Sequence, residues 1–358
     1  MHSPMEDLER WSRDVEIQAI LLSGSFYQGG KADWSIQQKT LFPMLRTELE
    51  LRKNPAFIED IEWKRRAVKV LLDPETQFSE IPTGVFRMGS TLEPTGPNYD
   101  PNHYPSERAT WVYLGKEGIQ TRIQRTSVTQ LLWFLVTGKN PSFHNSPKHC
   151  VGEHLTVKKV SICPRNPVEQ VSWDLIASEF LPLLEKEYGI RARIPTEAER
   201  ERAARGTATL EQMLDLASSF YQPYYFGQAG TEERSTEPSK SKAVNWNLSA
   251  HTWWNGNSKY RTQPVGIKGW NSLGLADMSG NIYDWVSDWY LPNYPEATPE
   301  NPLVNPQGPS SGLYRGIRGG SFDYGPGNLR SAHRGNVRPG FGYHDVGLRL
   351  VIELPLSF

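Results

Sequence analysis

From Phe78 onward the chain reads as short apolar runs broken by Gly, Pro, Asn and Asp. That texture excludes a helical bundle and demands strands joined by many turns. The 358 residues include 30 Gly and 27 Pro, above the roughly 12% combined share usual for soluble proteins. Hydrophobic residues are only 37%, yet there are 12 Trp, so large flat side chains must supply much of the core. Three helices are expected among the strands. One follows Thr129 as N-cap and ends at Gly138. A second runs from Trp173 to Tyr188, stops at Gly189 and is kinked by Pro182. The third opens on a capping box, Thr196 with Glu199, after Pro195. The fold class is therefore α+β.

Residues 1–77 have a different, helical pattern: Glu6 to Leu22, Ser35 to Arg52 and about Pro55 to Leu72. Ser35-Ile36-Gln37-Gln38 has the form of a capping box and predicts the second helix start, and Pro43 predicts a kink within it. Asp73-Pro74 ends the block. Two domains are predicted: a helical segment at 1–77, serving as a packing appendage or a partner-docking module, and a larger domain at 78–358. The polar stretch Thr231 to Lys242 reads as a loop. With 39 Lys+Arg against 40 Asp+Glu the net charge is −1, which predicts neither nucleic-acid nor anionic-membrane binding. No apolar run nears the roughly 18 residues of a membrane span. The start, Met-His-Ser-Pro-Met-Glu-Asp, lacks the basic region and apolar run of an export signal, so a cytoplasmic location is predicted. Two cysteines, Cys150 and Cys163, exclude a disulfide framework, and a reducing compartment predicts no bridge between them.

Eight motifs occur in order: Ile81-Pro-Thr-Gly-Val-Phe-Arg-Met-Gly-Ser90, Ser127-Val-Thr-Gln-Leu-Leu-Trp133, Asn140-Pro-Ser-Phe143, Pro167-Val-Glu-Gln-Val-Ser-Trp173, Arg193-Ile-Pro-Thr-Glu-Ala-Glu199, Gly274-Leu-Ala-Asp-Met-Ser-Gly-Asn281, Arg318-Gly-Gly-Ser-Phe322 and Val346-Gly-Leu-Arg-Leu350. Together they resemble the formylglycine-generating-enzyme, or sulfatase-modifying-factor, family over about residues 78–352. The resemblance implies a decorated C-type-lectin-like fold. It also implies two copper-binding cysteines in the loop after the Gly-Gly-Ser strand. Here that loop, Phe322 to Arg330, has no cysteine, and Tyr324 stands near the first thiol position. A phenol cannot replace a thiolate as a soft ligand, so neither copper nor formylglycine formation is expected. The related ergothioneine sulfoxide synthases draw iron-binding histidines from an N-terminal helical domain. Residues 1–78 offer only His2.

The resemblance further implies structural calcium. Asp277, Gly280, Ile282 and Asp284 would supply two carboxylates and main-chain carbonyls suited to a hard cation; the alternative is that both aspartates cap turns or meet arginines. A second site would fall near Asn245, Trp246 and Asn257, where Lys259 intrudes. His144, His149, Cys150, His154 and Cys163 cluster without a strong zinc spacing, so a polar loop with two thiols is the plainer reading. On the helix after Thr196, Arg200 and Arg202 replace family aromatics and predict a solvated charged face shared with Glu197, Glu199 and Glu201.

The end of the chain interleaves family framework with Asp323, Tyr324, Asn328, His333, Asn336, Phe341, Tyr343, His344 and Asp345. Tyr, Asn, Asp and His combine rigid aromatic area with adaptable hydrogen bonding, the chemistry of paratopes. The pattern resembles the variable proteins of diversity-generating retroelements. These residues are therefore the predicted ligand-binding set, and the predicted function is a bacterial, non-catalytic ligand- or protein-binding protein with a protein or other ligand at this surface and possible docking through the N-terminal helices. The alternatives are a metal-dependent, oxidase-like enzyme of altered chemistry using Tyr324, His333 or His344, and a scaffold subunit of a signalling or defence complex.

Overall fold

A computed structural model describes residues 31–90, 103–151, 154–207, 223–226 and 246–356. The helix expected at Glu6 to Leu22, the loop at Thr231 to Lys242 and the weak calcium ligand Asn245 lie outside these residues.

The described chain opens on α1 (Lys31–Lys53), a 3-10 turn at Pro55–Glu59 and α2 (Ile61–Leu71). The helix start predicted at Ser35 is corrected, because α1 already runs from Lys31 and Ser35 lies within it. Pro43 sits inside α1 without ending it. A proline there removes the amide that would bond the Lys39 carbonyl. Gln77 compensates: its Nε2 donates to the Lys39 carbonyl at 3.4 Å and the Thr40 carbonyl at 3.2 Å. The apolar faces of α1 and α2, with Leu41, Met44, Leu51, Trp63, Val68 and Leu71, belong to the same core cluster as Leu131, Trp133, Phe180 and Trp285.

Beyond α2, Asp73 caps the turn by accepting from the Glu75 and Thr76 amides, and β1 begins at Phe78. Strand β4 (Ile119–Gln124) lies between β1 (Phe78–Glu80) and β12 (Val351–Pro355), both antiparallel to it, so the two ends of the larger unit close on one strand. A second sheet has the order β10-β9-β7-β11, from Arg334–Val337, Arg315–Arg318, Tyr283–Trp289 and Val346–Gly347. A third joins β2 (Gly84–Met88), β3 (Thr110–Leu114) and β8 (Leu303–Val304). The hairpin β5-β6 (Leu155–Val157, Val160–Ile162) turns through Lys158 and Lys159, both at positive φ.

The three internal helices follow their local signals. In α3 (Gln130–Thr137), Thr129 caps the first turn and Gly138 ends the helix in the left-handed region. The second is α4 (Trp173–Leu175), a π-turn at Ile176–Phe180, then α5 (Leu181–Tyr188) ending at Gly189; Pro182 sits just after the widened turn, which absorbs its missing amide. Helix α6 (Glu197–Arg205) carries the full Thr196/Glu199 capping box. Tryptophan does supply the core: Trp133 stacks on Phe180 at 4.5 Å, and the buried Trp285 donates from Nε1 to the Val171 carbonyl.

Replacing Gln77 by Leu keeps the volume but strands the Lys39 carbonyl, whose helical donor Pro43 lacks. The expected loss is about 1–3 kcal/mol of unfolding free energy in a denaturant melt; an unchanged midpoint would show that Gln77 does not compensate for Pro43.

Candidate functional site

The helix predicted to show a solvated charged face is buried from end to end: Glu197, Arg200, Glu201 and Arg202 are each at most 1% exposed. The reason is long-range neutralisation. Glu197 is clamped by Arg334, whose Nε and Nη2 donate at 2.6 and 2.8 Å, and accepts from the Tyr294 hydroxyl. Glu201 binds Arg205 at 2.8 Å, the amide of Gly89 at 2.7 Å, and Arg318. Arg200 donates to Asp284 at 2.9 Å. Burial pushes the Glu197 carboxyl up, but Arg334 and Arg318 outweigh it and hold it below the ordinary range. Asp288, buried beside Glu197, rises to about 7.

This ionic layer holds strands β7, β9 and β10, and the C-terminal loops leave from their ends. The loop after β9 starts at Gly319-Gly320. Gly320 has φ of +74°, and a Cβ there would meet the Asn328 carbonyl at 2.5 Å, so the loop folds back on itself only with glycine. Arg330 then enters the interior and takes Glu107 through two bonds of 2.5 and 2.8 Å. Glu107 also lies 3.4 Å from Nδ1 of His333. Burial works against its charge, yet His333 and Arg330 together bring the Glu107 carboxyl down to about 2. Burial pushes the His333 imidazole below its usual value. Its Nε2 lies 3.3 Å from both the Tyr283 hydroxyl and Asn328 Nδ2.

Six of the nine predicted binding residues lie in or between two side-chain groups. In the first, Tyr324 packs edge-on against Tyr283 at 5.7 Å, and Tyr283, His333, Asn328 and Tyr104 follow. In the second, His344 lies 3.4 Å from Asp323 and packs against Phe322, Phe143 and His144. Asp345 stands between them, accepting from Ser321 Oγ at 2.8 Å, while its carbonyl accepts from the Tyr283 amide. Tyr324, Asn336, Phe341 and Tyr343 are exposed, whereas His333 and Asp345 are only 6% exposed. Among the described residues, no hydrogen bond, ion pair or ring contact draws the side chains of Asn336, Phe341 or Tyr343 into either group. Tyr104, Glu107, Tyr283 and Phe143 escaped sequence reasoning. Glu107 had one available signal: the arginines at 318, 330, 334 and 349 cannot be buried without carboxylates to match them.

Asp284 accepts from Arg200, from Arg349 Nε at 3.3 Å and from Ser127 Oγ, all while fully buried. Asp277, at positive φ, accepts from the Gly266 amide at 2.8 Å, and burial raises its carboxyl to about 6. A calcium ion at Asp277, Gly280, Ile282 and Asp284 would face two guanidinium groups, so this donor set does not fit it. Asn257 instead links Trp254 and Thr252. The expectation of two free thiols is corrected: Cys150 and Cys163 form a disulfide, with Cα atoms 5.2 Å apart. Compartment reasoning missed what the turn at Ser146 to Cys150 and the β5-β6 hairpin accomplish, which is to bring the two sulfurs into bonding reach. His144 and His149 pack at 5.1 Å, and His154 Nε2 meets Ser161 Oγ at 2.7 Å instead. Among the described residues, no three His, Cys, Asp or Glu side chains converge as a metal site.

The sequence profile of the sulfatase-modifying factor enzyme 1-like domain matches residues 70–354. A formylglycine-generating enzyme of Streptomyces coelicolor is 30% identical over 201 residues, 54% of this chain and 55% of that protein. The serine/threonine-protein kinase pkn1 of Chlamydia pneumoniae is 42% identical over 79 residues, 22% of this chain and 13% of the kinase. The chain thus spans about half, or much less, of the length of these curated relatives. Among solved structures, the Treponema denticola variable protein 1 aligns with a TM-score of 0.53 and 24% identity, over 76% of this chain and 98% of that one. PvdO from Pseudomonas aeruginosa aligns with a TM-score of 0.54 and 23% identity, over 77% and 94%. At these identities the two structures speak to the fold alone, and that fold is the expected one. Among the described residues, no helix is long and apolar enough to cross a membrane.

Because the folded state lowers the Glu107 pKa, its ion pair stabilises the protein fully above pH 4.5 and loses that contribution as pH falls toward about 2. Glu107→Gln should cost roughly 3–5 kcal/mol near neutrality by removing the carboxylate that neutralises buried Arg330, and should flatten the acid limb of the stability profile. An acid limb as steep in the variant as in the parent would show that Glu107 does not carry it.

Proposed function

The chain belongs to the sulfatase-modifying factor enzyme 1-like family, and we propose that it uses that scaffold for non-catalytic binding of a protein partner at its C-terminal loop surface. The observation that carries this reading is the loop Phe322 to Arg330. It contains no thiol, and the only two cysteines of the chain are bonded to each other in another segment. Where relatives need soft ligands, this chain presents Tyr324, 43% exposed, with Tyr343 at 43% and Phe341 at 55%. Tyrosine and phenylalanine offer large contact area with few torsions to freeze, the economical composition for recognition. The surface also rests on a fixed base, since Arg318, Arg330, Arg334 and Arg349 are all buried in matched ion pairs.

The reading with altered chemistry would use Tyr324, His333 or His344; of these, His333 lies beside Glu107 and His344 beside Asp323. Against it, His333 is 6% exposed and its Nε2 already faces Tyr283 and Asn328. A substrate would have to displace both to reach it.

A photo-crosslinking residue in place of Tyr324 or Tyr343 should give discrete adducts in an extract of the source cells, and the same residue in place of Val304, on β8 and 65% exposed, should not. Phe341→Ala should reduce those adducts by about tenfold, the scale of an aromatic anchor. Adducts equal at all three positions, or stoichiometric oxygen consumption with a cysteine-containing peptide, would overturn the reading.

A further inference from the structure

Three acidic side chains meet at the start of α6 with fewer protons than contacts. The Tyr294 hydroxyl oxygen lies 2.8 Å from Asp288 Oδ1 and 3.1 Å from Glu197 Oε2. A phenol has one hydrogen to donate. With both carboxyls ionised, one of these contacts would press an oxygen lone pair against an anion, in an interior where an unmatched polar contact is costly. The remaining oxygens are engaged. Asp288 Oδ2 accepts from the Glu197 amide at 2.8 Å and from Ser287 Oγ at 3.3 Å. Glu197 takes two bonds from Arg334 and lies 3.5 Å from Arg318 Nε.

The two carboxyls differ in the cations that face them. Glu197 has Arg334 and Arg318. Asp288 is fully buried on β7 and, among the described residues, forms no ion pair. From α6, Glu197 and Glu199 add negative charge against it. From β9, Arg315 acts on it only at a distance, stacked between Trp173 and Trp289 with its Nη1 bonded to the Ser287 carbonyl. From β10, Arg334 is committed to Glu197 and lies over the Tyr294 ring. Behind the carboxyl the chain closes at Gly308, where a Cβ would come 2.9 Å from Asp288 Cβ. Burial and Glu197 lift the Asp288 carboxyl to about 7. Burial and the same two carboxyls push the Tyr294 phenol up, so Tyr294 keeps its proton. One more hydrogen satisfies every contact.

We infer that Asp288 is a neutral carboxylic acid on the acid side of neutrality: its Oδ1–H donates to the Tyr294 oxygen, and the Tyr294 hydroxyl donates to Glu197. The hold of β7 on α6, and with it the ionic layer beneath the C-terminal loops, is then sensitive to pH. This goes beyond the binding reading and stands whether or not the loops bind a partner. Because the folded state raises the Asp288 pKa, its contribution to stability is fully present below the unfolded value of 3.8 and is lost as pH rises toward about 7. That sign is opposite to the one for Glu107.

Asp288→Asn places an amide donor at Tyr294 and keeps an acceptor for the Glu197 amide, so it imitates the protonated acid at every pH. Denaturant melts of the full chain, parent and variant, give the unfolding constants. The variant-to-parent ratio of these constants should fall by at least about tenfold between about pH 4 and about pH 8. A ratio that stays constant over this range, or moves in the parent's favour as pH rises, overturns the assignment. Should the Asn variant fail to fold, carboxyl-carbon NMR of the parent labelled at aspartate decides. The Asp288 signal should be that of a neutral acid at about pH 6 and shift only near about pH 7; a signal already ionised at about pH 6 overturns the assignment.

Discussion

Every feature of the C-terminal surface depends on the burial of helix α6 with its charges intact. Nine consecutive residues, six of them acidic or basic, sit inside the protein. Desolvating that many charges costs several kcal/mol for each ion unless it is matched by geometry. The match comes from Asp284 on β7, Arg318 on β9, Arg334 on β10 and the Gly89 amide at the end of strand β2, while Asp288 on β7 accepts from the Glu197 backbone amide. Hydrophobic packing tolerates sliding, whereas a bidentate guanidinium-carboxylate pair accepts only one relative placement. The layer therefore sets the register of the strands that launch the loops more sharply than apolar contacts would. Its cost explains why removing one partner is far more damaging than removing both.

What was legible in the sequence was whatever is encoded within a few residues. Thr129 with Gly138, Tyr188 with Gly189, and Thr196 with Glu199 each pair a helix end with its own neighbours, and each was read correctly. Ser35 shows the limit of that rule. A serine three residues before a glutamine has the form of a cap, but the residues before it continue the helix and the signal lapses. Pro43 shows it from the other side, because its compensation, Gln77, lies 34 positions away and follows a different helix.

The burial of α6 was illegible for the same reason on a larger scale. Arg200 finds Asp284 84 positions away and Glu197 finds Arg334 137 positions away. By composition the helix is a solvated surface; only the fold brings it opposite charges. The candidate site divides along the same line. Tyr324, His333 and Asp345 were visible because they lie in one unusual segment, but Tyr104, Glu107, Phe143 and Tyr283 enter from other parts of the chain and complete it. The disulfide failed differently: a rule about compartments was applied to a question of geometry.

Within residues 319–350 the two roles alternate at the scale of single residues. Phe322, Leu329, Arg330, Ala332, Arg334, Val346, Leu348, Arg349 and Leu350 are buried, while Tyr324, Asn336, Phe341 and Tyr343 face solvent. The buried set includes the arginines of the ionic layer, so its identity is fixed by partners elsewhere in the fold. Of the exposed set, Tyr324 packs edge-on against Tyr283; among the described residues Asn336, Phe341 and Tyr343 make no side-chain hydrogen bond, ion pair or ring contact, so a change at these three costs the scaffold only a few tenths of a kcal/mol. His333 and Asp345 are buried as well, His333 against Tyr283 and Asn328 and Asp345 against Ser321. Asp345 is held by the Ser321 hydroxyl without an arginine ion pair, much as Asp277 is held by the Gly266 amide and Asp288 by the Glu197 amide and the Tyr294 hydroxyl. A segment built this way can exchange its outward side chains without losing its shape, because its path is fixed by buried arginines and their distant carboxylates.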